Sequence, residues 1–112
     1  MIDFNNPYQG NYKRLLFVCS GGMLRSATFA HILAGRGFNT RCAGIDPRAI
    51  QPVHDNTLQW AEHIYCMEQG HKTAIQKHYM VNDDKITVLN IPDIFAYRDP
   101  KLIEKINEIF PE

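Results

Sequence analysis

The 112-residue sequence has no excess of either charge: Lys plus Arg number 12 and Asp plus Glu number 12. A nucleic-acid-binding domain normally carries a basic footprint, so no nucleic-acid partner is expected. No apolar run approaches the roughly 20 residues a membrane-spanning helix requires, so no membrane partner is expected either. The stretch from Met1 to Lys13 is polar with scattered aromatics, unlike a secretory signal. Repeats and low-complexity tracts are absent. Cysteine is scarce. Three of them, Cys19, Cys42 and Cys66, make an odd number without a signal peptide, which fits a reducing, cytoplasmic setting rather than a disulfide framework. The five histidines, His31, His54, His63, His71 and His78, show no H-x-x-x-H type spacing, so no metal is expected, and no cofactor.

What is there is enough for one domain. A chain of this length buries about two thirds of its unfolded surface and folds without staples. Residues 1–12 contain the turn formers Asn5-Asn6-Pro7 and Gln9-Gly10-Asn11 and read as an irregular arm before a single domain over 13–112.

The most informative segment is Cys19-Ser20-Gly21-Gly22-Met23-Leu24-Arg25-Ser26. It follows the apolar run Leu15-Leu16-Phe17-Val18 and precedes Ala27-Thr28-Phe29-Ala30-His31-Ile32-Leu33-Ala34, which reads as helix. Strand, glycine-bearing loop and helix in that order aim backbone N–H groups and a helix N-terminus at one small volume, an anion site. Arg25 adds a planar fork able to hold two oxygens of a phosphate-like group. Cys19 lies where the strand ends, beneath any bound anion, and the same positive field favours the thiolate, the nucleophilic form. Taken singly, each feature has a plainer use: buried hydrophobe, turn, solvated arginine. Their combination in one strand–loop–helix frame points to function.

Along the rest of the chain, strands are expected at Arg14–Cys19, 39–43, 64–67 and 85–90. Helices are expected over 25–36, 54–62 and 68–79, with a last one opening at Asp99-Pro100. Leu102, Ile103, Ile106, Ile109 and Phe110 form the apolar stripe of that last helix. His71 and His78, seven apart, are expected on a solvated helix face. Alternating strands and helices give an α/β fold, a small three-layer sandwich with a four-stranded parallel sheet and helices on both faces, flavodoxin-like. Ligands in such sheets bind beyond the carboxyl ends of strands. Ile91-Pro92-Asp93 follows the fourth strand, which makes Asp93 the candidate proton donor. Asp99, heading a helix before Pro100, is accounted for as an N-cap. Phe95 and Tyr97 either wall a pocket for an aromatic substrate or simply pack.

These residues resemble the low-molecular-weight protein tyrosine phosphatase family. The resemblance rests on Leu16-Phe17-Val18-Cys19, the Cys19-x5-Arg25-Ser26 loop, Ala43-Gly44, Ala61-Glu62-His63-Ile64 leading to Met67-Glu68, and the late Asp93. It runs from about Arg14 to the end and is nearest to a compact branch of predicted tyrosine phosphatases. It implies a phosphotyrosine phosphatase I-like fold and a phosphomonoester hydrolase, a protein tyrosine phosphatase working through a phosphocysteine. By that resemblance Cys19 is the nucleophile and Arg25 binds the equatorial oxygens. Ser26 bonds the thiolate, and the loop Ser20, Gly21, Gly22, Met23 and Leu24 lines the cradle. Asp93 is general acid and then base. The implied substrates are a phosphorylated protein or a small aryl phosphate, with inorganic phosphate or other oxyanions in the loop. Gly22 stands where the family usually has Asn, Leu24 where many members have a second Cys, and Asp93-Ile94-Phe95-Ala96 where Asp-Pro-Tyr-Tyr is usual.

Three other readings are open on the same residues. Cys19-Ser20-Gly21-Gly22-Met23 is similar to the loop of phosphocysteine carriers, the IIB proteins of sugar phosphotransferase systems, which lack the following arginine and the late acid. A phosphate-binding module with weak or no turnover is the second. Arsenate reduction is the third and needs resolving cysteines near the site, whereas Cys42 and Cys66 read as strand residues.

Overall fold

The computed structural model describes residues 13–21 and 24–111. The expected arm over 1–12 lies outside the described residues, as do Gly22, Met23 and Glu112. Four strands, β1 (Arg14–Cys19), β2 (Asn39–Gly44), β3 (His63–Cys66) and β4 (Ile86–Val88), form one all-parallel sheet in the order β2-β1-β3-β4. They alternate with four helices, α1 (Arg25–Ala34), α2 (Asp55–Trp60), α3 (Gln69–His78) and α4 (Pro100–Ile109).

The apolar run Leu15 to Cys19 is buried on both faces because β1 is a central strand. Its alternate residues feed two cores. Leu15, Phe17 and Cys19 meet Phe29 and Leu33 of α1 and Leu102 and Ile106 of α4. Leu16 and Val18 meet Leu58 of α2 and Ile75 of α3. That is the three-layer arrangement expected. In the first core Phe17 stacks on Phe29 at 5.5 Å and on Tyr65 at 5.4 Å, and Phe110 closes the cluster edge-on to Tyr65 at 5.2 Å. Such ring pairs contribute about 0.5–1.5 kcal/mol each beyond their area.

Element ends depart from expectation for local reasons. Helix α1 stops at Ala34, and Gly37 (φ 98°) makes the left-handed turn into β2. The His54 ring caps α2, accepting from the Asn56 N–H at 3.1 Å. Strand β4 is three residues long, preceded by a turn of 3₁₀ helix at Asp83–Lys85, and Asn90 (φ 58°) then bends the chain. One backbone bond, Leu89 N–H to Cys66 O at 2.9 Å, still ties that segment to β3. Asp99 caps α4 by accepting from Lys101 N–H at 2.9 Å, with Pro100 in the first turn.

The strand order changes direction between β1 and β3, so the loops leaving these two strands diverge and open a crevice at their carboxyl ends. Among the described residues no helix is long and apolar enough to cross a membrane.

Candidate active site

Cys19 ends β1 and is 3% exposed. Its carbonyl accepts from Ile45 N–H at 3.0 Å, and the Ser20 carbonyl accepts from Asp46 N–H at 3.0 Å. The chain leaving β2 therefore pins the start of the loop. The loop's far end is the N-terminus of α1. Leu24 at the N-cap provides no side-chain acceptor, so the first N–H groups of the helix stay unsatisfied by its own cap. A cleft of about 350 Å³ opens here, lined by Cys19, Ser20, Gly21, Leu24, Arg25 and Asp93.

Within it the Cys19 Sγ lies 3.1 Å from the Ser26 Oγ, and Ser26 is fully buried. Arg25 is 1% exposed. Burying a guanidinium is costly unless it is paired, and here it is. Nη1 donates to Glu68 Oε2 at 2.6 Å and to the Ile91 carbonyl at 2.7 Å, and Nε lies 3.6 Å from Asp93 Oδ1. One buried cation thus joins α1, the start of α3 and the loop after β4. The hydrogen bond from Arg25 holds the Glu68 carboxyl below the usual carboxylate range.

Glu68 and His71 share the first turn of α3. The Glu68 N–H donates to His71 Nδ1 at 3.0 Å, and Glu68's side chain accepts from the His71 backbone N–H, a capping box with histidine in the third position. His71 Nε2 lies 3.1 Å from Ser20 Oγ. The expected solvated face for His71 is corrected: it is 4% exposed, because the first turn of α3 docks on the loop after β1. Burial, then the Arg25 charge, push its pKa down. His78 lies apart, in a groove with Ile45, Val53 and Tyr79.

The remaining candidates sort by position. Asp93 faces the cleft with its carboxylate largely exposed, while Asp99 caps α4. The aromatic wall does not form among the described residues. Phe95 is buried in the first core, and Tyr97 stands half-exposed edge-on to His31 at 6.5 Å. Leu24 lines the cleft and is 45% exposed. Gly21 lines it with open space where a Cβ would be. Gly22 and Met23 lie outside the described residues.

Burial pushes the Cys66 thiol up to about 12, and burial followed by the Cys19 charge raises Cys42. Neither is suited to act as a thiolate. No disulfide joins the three cysteines among the described residues, and no group of three or more His, Cys, Asp or Glu there could hold a metal ion.

Sequence reasoning assigned neither Glu68 nor His71 to the site. The signal was present in the strand-end rule that found Cys19 and Asp93, since Glu68 follows the carboxyl end of β3 by two residues.

No family model and no curated protein matches the sequence. Solved structures do match the fold. The YwlE arginine phosphatase from Geobacillus stearothermophilus superposes with a TM-score of 0.69 at 21% identity, over 87% of this chain and 85% of that one. Vibrio vulnificus Wzb, in complex with benzylphosphonate, gives 0.70 at 18% identity, over 88% and 92%. A low molecular weight protein tyrosine phosphatase from T. tengcongensis gives 0.65 at 17% identity, over 86% and 91%. With the strand order, the two helical layers and the loop after β1 in agreement with that resemblance, the chain has the fold of the low-molecular-weight protein tyrosine phosphatases.

Proposed function

We propose that the protein is a phosphomonoester hydrolase of protein tyrosine phosphatase type, acting through a phosphocysteine. The observation that carries this reading is the cleft in which Cys19 Sγ, the buried Arg25 and Asp93 meet, with Ser26 Oγ 3.1 Å from the sulfur.

The roles follow from chemistry. The Cys19 thiolate attacks phosphorus, steadied by the Ser26 hydroxyl. The Arg25 fork and the loop amides hold the equatorial oxygens as charge develops. Gly22 and Met23 contribute to that cradle in this reading. Asp93 gives its proton to the leaving oxygen as the P–O bond breaks. In the second half, Asp93 takes a proton from water, the water oxygen bonds to phosphorus, and the S–P electrons return to Cys19. The substrate is a phosphorylated protein or a small aryl phosphate. Wzb's benzylphosphonate and the arginine phosphatase activity in YwlE's name support a phosphate-bearing ligand for this fold. Inorganic phosphate and other oxyanions compete for the loop. A neutral net charge and three cysteines outside any disulfide suit a cytoplasmic enzyme without nucleic-acid or membrane partners.

A phosphocysteine carrier would need neither Arg25 nor Asp93. A binding module would need no acid. The deciding measurement is hydrolysis of a generic aryl phosphate by the wild type and by Cys19→Ser, with acid-quench trapping of phosphoenzyme. Steady turnover lost in Cys19→Ser, with oxyanion binding kept, supports the hydrolase. Phosphocysteine that accumulates until a second protein accepts the group would replace it with the carrier. Oxyanion binding without turnover or phosphoenzyme would leave the binding module.

A further inference from the structure

We propose that His71 is a positioning residue for the anion loop, its Nε2–H holding the Ser20 oxygen so that the Ser20 hydroxyl proton faces the cleft. The inference rests on the hydrolase reading but concerns a residue that reading does not use.

The hydrogen-bond pattern fixes the ring's chemistry. His71 Nδ1 accepts from the Glu68 N–H at 3.0 Å, so in the neutral ring the proton sits on Nε2. Nε2 is 3.1 Å from Ser20 Oγ and therefore donates to it. The Ser20 oxygen being the acceptor, its own proton is available to another acceptor, and Ser20 lines the cleft beside Cys19 and Arg25. A hydroxyl oriented this way adds one donor for a developing oxyanion, prepaid by the fold. The imidazolium would break the arrangement: both ring nitrogens would donate, and Nδ1–H would oppose the Glu68 N–H.

The groups that face His71 are Ser20 from the loop after β1, Arg25 from α1, Asp93 from the loop after β4, and Glu68 from its own helix at 3.7 Å. Burial and Arg25 favour the neutral ring; Glu68 and Asp93 oppose them, with burial the largest influence. His71 thus reaches both Ser20 of the loop and Glu68, the ion-pair partner of Arg25. It does this in a loop where Gly22 offers no side chain for bracing.

The test uses the full chain. Nitrogen-15 spectra of the histidine rings, with His71 identified by its loss in His71→Gln, should show Nε2 protonated and Nδ1 bare at about pH 7. The opposite tautomer, or an imidazolium, overturns the proposal. With inorganic phosphate as probe, Ser20→Ala and His71→Ala should each weaken binding several-fold and together do little more. Losses that multiply, or no loss, overturn it as well. On an aryl phosphate, His71→Ala should lower kcat about tenfold with KM little changed, and His71→Gln, which carries both a donor and an acceptor, should restore most of it. The wild-type fall in kcat as His71 takes up a proton should vanish in His71→Gln. If no Cys19-dependent turnover exists, the hydrolase reading fails, while the spectra and the phosphate arm still decide the role of His71.

Discussion

Arg25 and Glu68 form a 2.6 Å ion pair in which one partner is sealed and the other is open: the Arg25 side chain is 2% exposed and the Glu68 side chain 46%. The pair fixes the guanidinium in the cleft while the Glu68 side chain keeps contact with water. A lysine ammonium could stand in for Nη1, which alone donates to both Glu68 and the Ile91 carbonyl, but not for the rest of the planar fork that holds two oxygens of an anion. Arg25→Lys should therefore be nearly as damaging as Arg25→Ala, with kcat down about 10²–10³-fold, the scale of losing a transition-state donor. Glu68→Gln keeps a hydrogen bond but removes its charge assistance. It should cost about tenfold in kcat/KM and about 1 kcal/mol in stability, the latter held down by exposure of Glu68. Steady-state kinetics and urea unfolding of both variants check this, and a Lys variant with most of its activity would reduce Arg25 to a steering charge.

Asp93 and Asp99 separate by leaving group. Asp93→Asn should slow esters of poor leaving groups most, because a phenolate of pKa about 10 needs its oxygen protonated as the bond breaks. An activated nitrophenolate needs that help less. Asp99→Asn should change turnover little, since asparagine still caps α4. Rates for a leaving-group series in the two variants decide the matter, and swapped behaviour would move the acid to Asp99.

Stability should fall as mild acid is approached. Burial depresses both His63 and His71 below the ordinary histidine value of 6.5. The unfolded chain takes up these protons near that value and the folded chain only at lower pH. Between the two, the unfolded state binds more protons, and stability rises with pH. The contribution is complete above about pH 6.5 and is lost as pH falls through the folded values. The lowered carboxylates Asp46, Glu62, Glu68 and Asp83 act in a separate, more acidic window below their ordinary values of 3.8 to 4.5. The urea midpoint should drop between about pH 7 and about pH 5, and less so in His71→Gln. A midpoint flat over that range would refute the assignment.

Peroxide should inactivate the protein without a rescuing disulfide. Leu24 occupies the position before Arg25 where a second loop cysteine would sit. Cys66 pairs with Val18 and belongs to the opposite core. Cys42 pairs with Phe17, two residues back from Cys19, which puts the two Cα atoms roughly 8 Å apart from strand rise and spacing. That exceeds the roughly 7 Å limit for a disulfide. Sulfenic acid on Cys19 should then advance to irreversible forms. Thiol-recoverable activity after prolonged peroxide, with a mapped Cys19–Cys42 bond, would overturn this and revive the arsenate-reductase reading.

The sheet, its layers and the Cys19–Arg25 loop were legible because they depend on local pattern. An apolar run followed by glycines and a helix reads the same in one dimension as in three. Asp93 was legible for a related reason, as a polar residue just past a strand end. Glu68 and His71 were not, because their environment is made at long range. On a helix as polar as Glu68 to Tyr79, a histidine one turn in looks solvated; what buries it is Ser20, 51 residues earlier. Phe95 and Tyr97 sit two residues apart with one in the core and one at the surface, a split that follows from the loop's path rather than from their chemistry. β4 ends before the apolar pattern does, because Asn90 turns the backbone.

Thr28 carries two hydrogen bonds at once: its hydroxyl donates to the Leu24 carbonyl at 2.7 Å and accepts from the Arg98 N–H at 2.9 Å. The segment bearing Asp93 is thereby moored to the second turn of the same helix whose first residue is Arg25. In the proposed hydrolase, the segment that carries the proton donor is therefore tied to the helix that carries the anion-binding fork. If that hydrolase reading holds, cutting the tie with Thr28→Val should loosen the Asp93 segment and lower kcat more than it changes oxyanion binding.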